Sequence, residues 1–417
     1  MKKSLLLATI AILSFSVFSQ EIFIKQSVVI NIEVPIRVFK SSTFVDNLTI
    51  DDFEVFEDGI PQKIEAVYLV KKRAIERSEE KKRFFPETTR NFFLNFEVSE
   101  YTAKLGEAVD YFVQNVIMPD DNLYIISPMK TYRLKDEALG VTSREEIVNE
   151  LKGLLRKDAK TGNSEYSSTI NDLTVISRSI SAAFASGQLD AAMRVATPPE
   201  ELDSFSSDLF SGMEFDEQLI HYEGLLHRLE LLRRIDEMKL LDFAKFLKNK
   251  EGQKYVFLFY QREFLPQIEP KLLTEYINLY QERPDILSTI SGIFNFQRRN
   301  VSFNVKRVKQ AYADSSISVH FLFIASPRKI IPGVHMKKSS KDIYNPFKEI
   351  TKATKGFTEN SSNPVFLFQK ALEASENYYL LYYSPKKYVF DGKFKEIKVQ
   401  VKNKNYKVTH RSGYFAD

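Results

Sequence analysis

The chain has 417 residues, with 59 Lys plus Arg against 55 Asp plus Glu, a formal net charge of +4 and no cysteine. Its 43% hydrophobic and 27% charged content is that of a globular protein, with room for roughly two to three domains. This composition excludes a disulfide framework, thiol catalysis and thiolate zinc sites, and lysines spread along the chain argue against a nucleic-acid partner.

The opening MKKSLLLATIAILSFSVFSQ has two lysines, then an apolar run, then small residues near Ser16 and Ser19. That layout predicts a signal peptide over 1–19, cleaved before Gln20, with an uncleaved anchor as the alternative. No later stretch is long and apolar enough to span a bilayer, so an exported location, periplasmic or extracellular, is expected.

Residues 27–70 alternate with period 2 and predict a small N-terminal β unit. Within it, FEVFED and PQKIEAVYLV flank Asp58-Gly59, a hairpin turn signal. Residues 71–91 are dense in charge and read as an exposed connector ending near Pro86. From 92 to 376 short apolar runs alternate with helical periodicity. The runs FFLNF, NLYIIS, YVFLFY and ISVHFLFIA predict strands buried on both faces, which is the pattern of an α/β domain with a doubly wound, mostly parallel sheet. An insertion at about 157–216 breaks the rhythm with Ser, Ala, Asp and Gly. One long helix is predicted over 217–247, and a short one over FKEITKATKGF with Gly356 as its cap. Residues 377–417 return to β character, with Asp391-Gly392 as a turn signal. These strands are predicted to pack with the N-terminal unit, since two or three strands alone bury too little.

Isolated chemistry-bearing residues are sparse. The five histidines are scattered; His221 and His227 miss the i, i+4 spacing of a helical metal pair, and His320 alternates within a buried run. Tyr378, Tyr379, Tyr382 and Tyr383 alternate onto two faces of a predicted strand and read as packing.

Several motifs together resemble the von Willebrand factor type A-related proteins of the acidobacterial type. They are LTIDDFEVFEDGIPQKIEAV, PDDNLYIIS, YYLLYYSP, GKFKEIKVQV and RSGYFAD, and they recur along most of the chain outside 157–216. The resemblance implies a type A, Rossmann-like core flanked by β elements from both ends. It also implies a Mg²⁺ site at the carboxyl edge of the sheet, built from Asp-x-Ser-x-Ser, a loop Thr and a further Asp. Here the first Asp aligns with Asn95, the first Ser with Glu97, and only Ser99 is retained. The last Asp falls in Tyr260-Gln261-Arg262, and the loop Thr is Thr161 or Thr169. A site so degenerate predicts no metal and no cofactor; one carboxylate among neutral oxygens is a poor match for Mg²⁺.

The expected function is therefore a non-enzymatic binding or scaffold protein of the bacterial envelope. It would act through a protein or other envelope component without an obligatory metal. The alternatives are a metal-dependent adhesion module with an ion site rebuilt around Glu97, or an envelope hydrolase with its site in the insertion.

Overall fold

The computed structural model describes residues 30–134, 140–185, 213–297, 301–326 and 330–417. The predicted signal peptide and much of the predicted insertion lie outside them. The described chain begins with β1 (Ile32–Lys40), β2 (Thr43–Phe44), β3 (Phe53–Glu57), β4 (Ile60–Gln62), β5 (Ile64–Lys71) and β6 (Ala74–Glu80). Then come β7 (Arg90–Glu97), α1 (Ala103–Asn115), β8 (Asn122–Ile126), β9 (Thr131–Leu134), α2 (Arg144–Gly162), α3 (Ser164–Ala185), α4 (Phe215–Leu232) and α5 (Glu237–Lys248). The middle continues with β10 (Gln253–Gln261), β11 (Phe264–Gln267), α6 (Pro270–Leu279), α7 (Pro284–Gln297), α8 (Val305–Asp314), β12 (Ile317–Ile324), β13 (His335–Lys338), α9 (Lys341–Ala353) and β14 (Thr358–Ser361). The end holds α10 (Pro364–Glu373), β15 (Asn377–Tyr383), β16 (Phe394–Val401), β17 (Lys407–His410) and β18 (Gly413–Phe415).

The expected doubly wound, mostly parallel sheet is corrected by the strand pairing. The protein is mixed α/β, and twelve of the eighteen described strands lie in antiparallel sheets. The sheet that contains parallel pairs is itself mixed. Its order is β14-β12-β10-β7-β8-β9, with β9 running antiparallel to β8. The reason is visible in the two chain ends. Their period-2 segments pair directly with one another, and β15 lies antiparallel between β1 and β5. Likewise β16 pairs antiparallel with β3. Asp58 (φ 48°) and Gly59 (φ 80°) form the tight turn between β3 and β4. Ala74–Glu80, inside the charged segment, is an edge strand whose Glu and Arg side chains suit an edge facing water.

Strand β7 carries two cores. Phe92, Leu94 and Phe96 pack with α1, α2 and α10 on one side. Phe93 packs on the other side with Val256, Val319, Phe321, Leu247 and Phe347. Truncating such a buried ring to alanine costs about 3–5 kcal/mol. A third core joins α3 and α4 to α6 and α7 around Leu173, Tyr222, Tyr276 and Ile290. The described part of the predicted insertion is thus the end of α2, all of α3 and the first residues of α4, with α3 packed on α4.

The predicted helix over 217–247 is two helices. The chain breaks at Arg233–Asp236, where Asp236 Oδ1 accepts from the N–H groups of Met238 and Lys239 and so caps α5. Gly356 is not a helix cap either. Lys355 takes the left-handed conformation (φ 56°), and Gly356 is required because a Cβ would lie 1.6 Å from the Val319 carbonyl oxygen.

That turn sits where the antiparallel sheet meets the mixed one. Arg37 Nη1 on β1 donates to the Lys355 carbonyl (2.8 Å), and Arg411 Nη2 donates to the Glu33 carbonyl (2.7 Å). Lys355 Nζ has no hydrogen-bond partner and is buried; burial first, then the Arg37 charge, pushes its pKa well below the ordinary 10.5. Between that lowered value and 10.5 the unfolded chain holds the extra proton, so stability rises with pH across this window. Replacing Lys355 by Met removes an unsatisfied buried amine worth about 1–3 kcal/mol. Lys355→Met should therefore melt higher than the wild type at pH 7, with a smaller gain at pH 9. A lower midpoint at both pH values would contradict this account.

Candidate functional site

Alternation along β7 decides what faces the carboxyl edge of the mixed sheet. Phe93, Asn95 and Glu97 project to one side, and β7 pairs in parallel with β10 so that Asn95 lies opposite Leu258 and Glu97 opposite Tyr260. Where the strands end, a cavity of about 890 Å³ opens between them, α5 and the α2–α4 region. Its inner wall is apolar, with Phe93, Phe243, Val256, Leu258, Tyr312 and Phe347. Polar groups gather toward the strand ends, among them Asn95, Glu97, Ser99, Thr131 and Gln261.

The three sequence-predicted positions do reach this cavity. They do not converge on a single point. Ser99 Oγ donates to Gln261 Oε1 (3.2 Å), which also accepts from the Glu100 N–H (3.1 Å). Gln261 Nε2 in turn donates to Ser326 Oγ (3.1 Å). Ser99 is therefore spent in closing the loop onto β10. Asn95 Oδ1 is buried and has no hydrogen-bond partner. Glu97 lines the cavity and keeps an exposed surface, although protein atoms crowd around its carboxyl. Burial raises its pKa above the ordinary 4.5, with the Asn95 amide and the Lys239 ammonium pulling it part of the way back.

Arg262 does not point at the site. Its guanidinium lies over the Phe323 ring (5.6 Å) and Nη2 donates to Asn360 Oδ1 (3.3 Å). The electropositive groups at the cavity are Lys239, Arg233 and Arg234, which the sequence reading passed over. Arg233 is held by Glu263 through a bidentate ion pair and by Asp342 at 3.6 Å. Burial works against its charge, but Glu263 more than restores it and raises its pKa. Tyr260 Oη donates to the same Glu263 (2.9 Å); burial first, then the Glu263 charge, raises the phenol well above its ordinary value. The loop threonines are not at a loop. Thr161 ends α2, and Thr169 is buried inside α3 with Oγ1 donating to the Glu165 carbonyl (2.8 Å).

The available signal for Lys239 was the Asp236 cap, which starts a new helix and turns its first residues toward the sheet edge. Nothing local in the sequence joins Arg233 to Glu263, thirty residues on. Among the described residues, no group of three or more His, Asp or Glu side chains is arranged to hold a metal ion. Comparison with protein-family models, curated proteins and solved structures finds no match.

A bound ion would stabilise the native state by mass action. With one uncompensated carboxylate at hand, the melting midpoint should be the same in EDTA and in millimolar Mg²⁺ or Mn²⁺. A rise of several degrees with metal, lost in Glu97→Ala, would show a rebuilt ion site.

Proposed function

We propose that the protein is a non-enzymatic binding protein that receives a segment of a partner protein at the carboxyl edge of the mixed sheet, without an obligatory metal. The cavity of about 890 Å³ carries this reading. It falls in the size range of ligand pockets, has an apolar interior and a polar mouth, and stands at the strand ends, where α/β sheets bind their ligands. An apolar anchor seated in such a pocket supplies most of the energy of a protein interface. Among the described residues no nucleophile–base pair lies in the lining, which favours binding over catalysis. No histidine lines the cavity, and Ser99, its serine, donates to an amide rather than to a base.

The resemblance to von Willebrand factor type A-related proteins rests on the sequence motifs alone. Export belongs to the same reading, and N-terminal sequencing of the protein recovered from cells should begin at Gln20 rather than Met1. No described helix is long and apolar enough to cross a membrane.

Thr131 lies exposed at the mouth of the cavity, and Lys398 lies exposed on β16 away from it. Capture from the native envelope should be compared for the wild type, Thr131→Trp and Lys398→Trp. A partner held by the wild type and Lys398→Trp should fall at least about tenfold with Thr131→Trp, the loss expected from blocking one hot-spot pocket. Equal recovery by all three proteins would place the binding surface elsewhere.

A further inference from the structure

Among the described residues four carboxylates line the cavity: Glu97, Glu165, Asp236 and Glu263. Three are committed. Glu165 pairs with Arg228 (3.0 Å), Asp236 caps α5, and Glu263 holds Arg233 and Tyr260. Glu97 has no cation within ion-pair distance among the described residues, and beside it Asn95 Oδ1 is a buried acceptor without a donor. Two hydrogen-bond acceptors thus stand together at the polar end of an apolar chamber, and the chain supplies neither with an ion-pair partner. A buried acceptor such as Asn95 Oδ1 is otherwise satisfied in native proteins, and Glu97 beside it keeps an exposed surface open to a ligand.

Building on the proposed function, we infer that the partner's segment places a lysine or arginine side chain in this cavity, its cationic head at Glu97 and Asn95 and its methylene stem along the apolar wall. An ammonium offers three donors and a guanidinium five, so either can serve both acceptors at once. The stem runs past Leu258, Val256 and Phe243, which burial of methylene groups favours. Two cations of the chain itself compete from the rim. Lys239 and Arg234 both line the cavity and are exposed, with no ion pair to an acid among the described residues. Arg233 does not compete, because Glu263 and Asp342 hold it. Binding of the cation favours ionised Glu97 and releases a proton, so affinity rises with pH as Glu97 titrates. The other charged groups that line the cavity among the described residues are Lys239, Arg233, Arg234, Glu165, Glu263 and Asp236.

The test uses the full chain and blocked pentapeptides Gly-Phe-Xaa-Phe-Gly, in which Xaa is Lys, norleucine or Glu, with n-butylamine as the free cation. Isothermal titration should find the Lys peptide at least tenfold tighter than the norleucine peptide. The near-isosteric Glu97→Gln should erase that difference, and Lys239→Gln should enlarge it. Lys and norleucine peptides of equal affinity, a preference for the Glu peptide, no peptide binding at all, or a Lys preference that survives Glu97→Gln would each overturn the inference. Butylamine binding as tightly as the Lys peptide would overturn the assignment to a partner's side chain. None of these outcomes bears on cavity-dependent capture by the Thr131→Trp comparison, which decides the proposed function separately.

Discussion

The organising constraint is that β7 has no solvent face over most of its length. Arg90 to Phe96 are enclosed between two layers, so the strand must be apolar on both sides or satisfy its polar groups in place. At its start Arg90 does this through Asp121, with Nε–Oδ1 at 3.0 Å and a further bond to the Val116 carbonyl. Breaking such a buried pair costs about 3–5 kcal/mol. At its end the same requirement is not met from within. Asn95 and Glu97 follow Phe93 on one face, and the layers part around them to leave the cavity. The candidate site is thus the place where the mixed sheet stops being able to bury its own side chains.

The surrounding elements keep that edge fixed. The helix break at Arg233–Asp236 lets Arg233 turn into its ion pair with Glu263 while α5 starts again beside the sheet. Gln261 ties the end of β10 to the loop after β7 on one side and to Ser326 after β12 on the other. At the opposite end of the mixed sheet, the strands from both chain termini form a second, antiparallel layer. His320 lies fully buried near this junction, with Nδ1 accepting from the Phe357 N–H (3.2 Å) and Nε2 at 3.0 Å from Ser375 Oγ. Burial and the Arg37 charge hold it neutral. Tyr379 and Tyr383 pack into the core shared with β1, β3 and β16, while Tyr378 and Tyr382 pack on the reverse face of β15. Rigid mounting of this kind holds binding groups in place better than loops can.

Much of the local structure was legible because it is set by near neighbours. FFLNF, NLYIIS, YVFLFY and ISVHFLFIA are all buried strands, and Asp58-Gly59 is a turn of two left-handed residues. Alternation also brought Asn95, Glu97 and Ser99 to the sheet edge. The assembly of strands into sheets was not legible, because alternation says which face is apolar and not which strand lies beside which. Hence the doubly wound reading failed where β9 turns antiparallel, and the expected packing of the two chain ends did not reveal that β15 would slot between β1 and β5. Charge was misplaced for a related reason. Arg262 stands in the stretch where the last Asp was expected, yet a neighbouring ring and amide draw it away from the site, and Lys239 arrives from a helix start that the apolar periodicity of 217–247 runs straight through. Lys355 could not be foreseen as a buried amine, since its surroundings come from β1, β10, β12 and the chain's last strands.

The claim on which the site rests is that Glu97 stands in the cavity with no cation at ion-pair distance among the described residues. Infrared titration of the intact protein against Glu97→Gln measures this directly, because a protonated carboxyl has its own carbonyl band. The account predicts one band, missing in Glu97→Gln, that persists to a pH above the ordinary glutamate value of 4.5. A Glu97 band that titrates at or below that value would mean the carboxyl is already paired or solvated, and would contradict the account.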